Sequence, residues 1–475
     1  MSRAFRSLLL CLALLACAGP ALAFQAPSEL DTIKDQADTA YRNRDFPKAI
    51  QLCDRALAQA PTDHVALYLR GSSRVELGIL MGNDELVRQG IADSREGIRH
   101  EGKGKAEYYL PYIYGMSHLS ALEGKTVHAQ TARTVADSVL DRDDLTPEQR
   151  ANLIYQRAQA NMQLKDFKAS ELDLQEVLKL SPKHLAAHML MADLAARTKT
   201  PAEAIAAYGK VVDEFPDNAL TYNNRGMYLQ SIGRTQEAIG DFNKAVQIDP
   251  KFLPAYINRG FALLENGDAA GAEAALTQAI TIDPQQIGAL SLRATARLNQ
   301  EKSQDALADY RQVVQMAPQS PMAYADLGFA QFFTLDFPGA LSSFKTALKL
   351  DSKLRFLVPW KLACEMRLQQ VDSAAYQDVL AKSDTSRDWV DNLLLFQLGK
   401  VDATQLLQSV SATDQNARNA QLCEGYYFIG MELQRRGRGA DAVAYFKQAT
   451  QRKLPKLSAY RGAMVALGQS ASLPK

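Results

Sequence analysis

The chain has 475 residues, 47% of them hydrophobic and 23% charged, with 27 Gly and 18 Pro. That mixture excludes a disordered, fibrous or low-complexity protein, and the length alone points to about three ordinary domains. The 54 basic and 53 acidic residues nearly cancel, which argues against nucleic acid as the main partner and against a polybasic membrane anchor.

The first element is an export signal over residues 1–23. Arg3 and Arg6 precede an apolar run from Leu8 to Ala16, and Ala21-Leu22-Ala23 forms a small-x-small cleavage site before Phe24. The run is too short to span a bilayer, and no later segment is long and apolar enough to do so. The expected location is therefore the periplasm or the exterior. Leu14-Leu15-Ala16-Cys17 also resembles a lipobox, so an outer-membrane lipoprotein anchored at Cys17 is a less favoured alternative. Cleavage leaves a net charge of −1 and three cysteines, Cys53, Cys364 and Cys423. An odd count leaves at least one unpaired within a monomer, and buried thiols are favoured over a Cys364–Cys423 bridge.

From residue 30 onward the pattern is helical and periodic. Ala204, Ala238, Ala272, Ala306, Ala340 and Ala374 recur every 34 residues, with Ala442 two periods later. Pro182, Pro216, Pro250, Pro284 and Pro318 keep the same register, and Tyr208, Phe242, Leu276, Tyr310, Phe344 and Phe446 follow the alanines by one helical turn. Gly226, Gly260, Gly328 and Gly430 are the small residues on the first helix of each pair that let the second helix approach. Thr146-Pro147-Glu148-Gln149 and Thr200-Pro201-Ala202-Glu203 read as capping boxes.

These features resemble the tetratricopeptide repeat (TPR) family, whose signature is a 34-residue helix-turn-helix period. Asn223-Asn224-Arg225-Gly226 through Pro250, and Tyr256-Ile257-Asn258-Arg259-Gly260 through Pro284, follow its pattern closely. The resemblance implies an all-α fold, a right-handed TPR α-solenoid superhelix of about twelve helix-turn-helix repeats. N-terminal repeats with insertions occupy 30–150, six regular repeats 151–354 and degenerate helical repeats 355–422. The last repeat and a capping helix occupy 423–468.

One correlation supports the register. Arg157, Arg225 and Arg293 share a position on the first helix, and Asp173, Asp241 and Asp309 share one on the second, in the same repeats. Arg70 and Asp93 fit if seven extra residues sit between their helices, while repeat 7 has only Arg259. Residues that come and go together read as ion pairs joining the two helices of a repeat.

The C-terminal stretch carries a narrower resemblance. Trp360-Lys361-Leu362-Ala363, then Trp389 with Phe396-Gln397-Leu398-Gly399, then Cys423-Glu424-Gly425-Tyr426-Tyr427-Phe428 look like the C-terminal half of the NlpI-type TPR lipoproteins of bacterial envelopes. That resemblance implies an adaptor that holds peptidoglycan hydrolases or proteases together without a catalytic site.

The search for chemistry gives little. His184 and His188 have the i, i+4 spacing of a zinc pair, but the intervening Leu185-Ala186-Ala187 lacks the Glu of a metalloprotease helix. His100 to Lys105 holds two Gly and two Lys without phosphate-loop spacing, and no nucleophile elbow appears. The expectation is a non-enzyme with no cofactor and no metal.

In TPR proteins first helices line a concave groove, which sets the candidate binding residues. Repeat 4 presents Tyr155 and Gln159, and repeat 5 presents Met189, Asp193 and Arg197. Repeat 6 presents Asn223, Met227 and Gln230, and repeat 7 presents Ile257, Phe261 and Leu264. Repeat 9 presents Phe329, Phe332 and Phe333, the alternative being that tight superhelical packing buries some of them, Phe332 above all. The expected ligands are proteins or peptides, with assembly through the convex face as the alternative.

Overall fold

The computed structural model describes residues 28–102, 105–454 and 457–468. Residues 1–23, read above as an export signal, with Cys17, and residues 103 and 104 of the Gly-Lys loop, lie outside the described residues. Among the described residues there are twenty-five α-helices and no strand. The chain divides into two compact units, residues 1–207 and 208–475.

Unit 1 stacks helix hairpins. They are α1 (Glu29–Arg42) with α2 (Phe46–Gln59), α3 (His64–Met81) with α4 (Asp84–Glu101), and α5 (Tyr109–Glu123) with α6 (Thr126–Leu140). Next come α7 (Pro147–Gln163) with α8 (Phe167–Leu180), then α9 (Leu185–Thr198) and α10 (Pro201–Glu214), within which the division falls. Both capping boxes form. The Gln149 and Glu203 backbone N–H groups donate to Thr146 Oγ1 at 3.2 Å and Thr200 Oγ1 at 3.4 Å, and each side chain accepts from the Thr N–H in return.

The seven extra residues of repeat 2 do not form an inserted loop. Only Gly82 and Asn83 separate α3 from α4, and each helix runs 18 residues where α11 and α12 run 13 and 14. The insertion lengthens both arms by about one turn. A glycine seam makes this possible, because a Cβ on Gly71 or Gly90 would fall below 3 Å from the facing backbone.

Unit 2 begins in α10 and continues with α11 (Ala219–Ser231), α12 (Thr235–Ile248), α13 (Leu253–Glu265), α14 (Ala269–Ile282), α15 (Ile287–Asn299), α16 (Ser303–Met316), α17 (Pro321–Phe333) and α18 (Phe337–Leu350). The repeat glycines act as expected. A Cβ on Gly226 would meet Phe242 at 2.8 Å, on Gly260 Leu276 at 2.5 Å, and on Gly328 Phe344 at 2.6 Å.

The degenerate stretch forms α19 (Val358–Arg367), α20 (Gln377–Ala381), α21 (Trp389–Gln397) and α22 (Ala403–Gln408). Buried polar knots hold it where the repeat contacts fail. Tyr376 donates to Glu365 at 2.7 Å while Lys361 Nζ donates to both, and Asp391, fully buried, is met by Arg355 and Lys382. The chain ends in α23 (Gln415–Arg435), α24 (Gly439–Thr450) and α25 (Ser458–Ala466). Helix α25 packs on α23 and α24 and also touches α17. Cys53, Cys364 and Cys423 are free and fully buried.

Candidate functional site

The Arg–Asp correlation is realised as ion pairs between the two helices of a repeat. Arg157 meets Asp173 at 2.6 Å, Arg225 meets Asp241 at 2.7 Å, Arg293 meets Asp309 at 2.8 Å and Arg70 meets Asp93 at 2.7 Å. In each, Nε and Nη2 grip the two carboxylate oxygens, the fork geometry that favours Arg over Lys. Sequence reasoning missed a second donor one turn later. Arg74, Asn161 and Arg297 also donate to Asp93, Asp173 and Asp309. Its residue type varies, so the register alone does not reveal it. These arginines join the two helices of a repeat, and Arg70 and Arg157 also reach the preceding helix.

The first-helix faces hold the candidate binding residues. In unit 1 Met189 is buried, only 7% exposed, which corrects its assignment as an open groove residue. Tyr155, Gln159 and Asp193 are half-buried, and Arg197 is exposed. Gln159 donates to the Tyr155 hydroxyl at 3.1 Å, and the His184 ring lies 5.0 Å from the Tyr155 ring. Burial pushes the Tyr155 phenol up to about 12, with Tyr114 and Asp193 adding to the effect. Tyr41, Tyr68 and Tyr114, also on first helices and half-buried, are further candidates. They obey the same face rule as Tyr155, but insertions obscure the register in repeats 2 and 3.

The two histidines have other tasks. His184 caps α9, accepting from the Ala187 N–H at 3.1 Å, and His188 Nε2 lies 2.8 Å from the Pro182 carbonyl oxygen. Among the described residues no group of three or more His, Cys, Asp or Glu is placed to hold a metal ion.

In unit 2 the face at repeats 6 and 7 is open. Met227 is 51% exposed and Phe261 37% exposed, at the same repeat position on α11 and α13. Two hydrogen bonds between neighbouring repeats frame them. Asn258 donates to Asn223 at 2.9 Å on one side, and Gln230 donates to Glu265 at 2.7 Å on the other. Ile257 and Gln230 are half-buried. Asn223 and Leu264 are buried, a correction with a cause in each case: Asn223 is held by the bond from Asn258, and Leu264 packs with Leu276 and Ala272.

The face at repeat 9 is closed by the chain itself. Phe329 and Phe332 are buried, and Phe333 is half-buried. The Trp360 ring stands edge-on to Phe329 at 5.1 Å and to Phe332 at 5.2 Å, and Tyr427 and Phe428 cover its other side at 5.2 Å each. Burial pushes the Asp326 carboxyl on α17 up to about 6, against the pull of the Arg461 guanidinium on α25. Phe329 and Phe332 are core and Phe333 packs partly buried against them, which corrects the assignment of Phe329 and Phe332 to the groove.

Comparison with known proteins agrees with the geometry. The tetratricopeptide repeat pattern matches residues 34–80, 155–219 and 291–355, and two further versions of it match 219–252 and 253–286. Together they span about half of the chain. This chain belongs to the tetratricopeptide repeat family. No curated protein matches it. Among solved structures the TPR chain is similar to a tetratricopeptide repeat protein of Parabacteroides merdae ATCC 43184, at 15% identity over 57% of this chain and 99% of that one, TM-score 0.41. It is also similar to PilF of Pseudomonas aeruginosa, at 18% identity over 50% and 99%, TM-score 0.37. MamA of Desulfovibrio magneticus RS-1 gives 19% identity over 36% and 97%, TM-score 0.34. TPR proteins generally mediate protein–protein interaction, and the TPR fold is typically a non-catalytic scaffold. No helix among the described residues is long and apolar enough to cross a membrane.

Proposed function

We propose that this TPR protein is an exported, non-catalytic adaptor that holds a partner protein against Met227 and Phe261. The observation that carries the reading is the pair of exposed apolar side chains one repeat apart, framed by cross-repeat hydrogen bonds. Apolar anchors inside a polar rim suit a peptide or helix of a partner. The periplasm or cell envelope is the proposed location, on the strength of the signal pattern at residues 1–23. The likeness of the C-terminal stretch to NlpI-type adaptors supports envelope enzymes, such as peptidoglycan hydrolases or proteases, as the partners.

Met227→Glu and Phe261→Glu test the reading. Both positions are exposed, so helicity and melting temperature should hold while partner capture is lost. Undiminished capture by both variants would remove the groove from the account. The mass of the mature N-terminus tests export, with Phe24 as the expected first residue.

A further inference from the structure

One arginine of the interhelix ladder stands without a carboxylate. Arg259 occupies on α13 the place that Arg225 occupies on α11, and its guanidinium lies over Tyr256 at 5.2 Å as that of Arg225 lies over Tyr222 at 5.7 Å. The inner seat, filled by Asp241 for Arg225 and by Asp309 for Arg293, is held here by Ala275. Arg259 Nε is consequently buried with no hydrogen bond among the described residues. Removing such a cation from water without a carboxylate is unfavourable, and burial holds the guanidinium below its usual range.

A second, outer seat exists in this ladder. Arg70 Nη1 meets Asp54 at 2.7 Å, and Arg157 Nη1 meets Asp137 at 2.9 Å, both on the preceding helix. Those outer aspartates are 48% and 51% exposed, so the outer seat opens to solvent. Asp54 lies 16 residues before its arginine, and the residue 16 before Arg259 is Asn243. Asn243 is exposed and accepts from Arg259 Nη1 at only 3.4 Å. Arg259 is thus held in the pose of Arg225, with neither the inner carboxylate that Arg70, Arg157, Arg225 and Arg293 all use nor the outer one that Arg70 and Arg157 add.

We propose that the outer seat between Arg259 and Asn243 receives a carboxylate side chain from a protein partner. A guanidinium already fixed by Tyr256 loses little freedom on binding, and charge complementarity selects Asp or Glu over their amides. The site stands apart from Met227 and Phe261, because Arg259 and Phe261 are two residues apart on one helix and project to opposite sides.

The test uses the full-length protein labelled with 15N at arginine Nε, the signal lost in Arg259→Lys being that of Arg259. Titration with Ac-Ala-Glu-Ala-NH2 is expected to shift that signal saturably, and Ac-Ala-Gln-Ala-NH2 is expected to leave it in place. Asn243→Asp, which fills the outer seat from within, is expected to abolish the shift with the circular dichroism spectrum unchanged. Should that variant lose helicity, Ala275→Asp, filling the inner seat, carries the same expectation. No saturable shift with the glutamate peptide, an equal shift with the glutamine peptide, or a shift that survives the folded aspartate variant overturns the proposal.

Discussion

Arg70 and Asp93 lie 23 residues apart, yet they make the two-pronged contact that Arg157 makes with Asp173 across 16. The seven added residues extend α3 and α4 by about one turn each, so the hairpin grows while the pair stays in phase. The same pair therefore forms in hairpins of two lengths, which ties these contacts to the packing of the repeat.

Asp309→Ala is expected to destabilise the chain by about 3 kcal/mol, because Arg293 and Arg297 both lose a buried partner. The check is the shift of the urea midpoint. Asp441→Ala, which breaks the exposed pair with Arg438, should cost below about 0.5 kcal/mol. Equal losses at the two sites would contradict a structural role for the ladder.

Two glycine substitutions should differ in sign. Gly328→Ala drives a Cβ to 2.6 Å from the fully buried Phe344 ring and should cost about 1–3 kcal/mol. Gly240→Ala, inside α12 with nothing within 4 Å of the new Cβ, should stabilise by about 0.5–1 kcal/mol. Thermal melts of the two variants on either side of the unchanged chain would bear this out.

Trp389 Nε1 donates to Glu424 Oε2 at 2.7 Å. Burial pushes the Glu424 carboxyl up to about 7, with the Trp389 N–H pulling the other way. An unfolded glutamate ionises near about 4.3, so between there and about 7 the folded chain keeps a proton that the unfolded chain has lost. This group's contribution to stability is therefore greatest at low pH and falls as pH rises through that window. Tryptophan fluorescence should titrate with a midpoint near neutrality, and Glu424→Gln should flatten both the fluorescence titration and the pH slope of stability. A slope of opposite sign that Glu424→Gln removes would refute the assignment.

Burial pushes Cys53, Cys364 and Cys423 up to about 12 each. All three should resist a thiol reagent in the native protein and react together once it is unfolded. Rapid labelling of one at neutral pH would show that its pocket opens.

Much of the fold was legible because the repeat imposes the same contact again and again. Gly226 against Phe242 recurs at Gly328 against Phe344, and the Arg–Asp pairs showed themselves by appearing together. The groove was less legible. Position alone placed Met227 and Phe261 at the surface, but it placed Phe329 and Phe332 there too. Their cover comes from Trp360, Tyr427 and Phe428, in a stretch without a readable register, so no local pattern announced it. Arg74, Asn161 and Arg297 escaped notice because three residues of two types perform one task, and only geometry unites them.

The central claim is that the first-helix face at repeats 6 and 7 holds a partner protein. Site-specific photo-crosslinking in intact cells tests it most directly, with the reactive group at position 261 and a control at exposed Gly240 on α12. The account expects a discrete protein adduct from 261, none from 240, and loss of the 261 adduct when Met227→Glu is added. Equal adducts from both positions, or an adduct from 261 that Met227→Glu leaves intact, would contradict it.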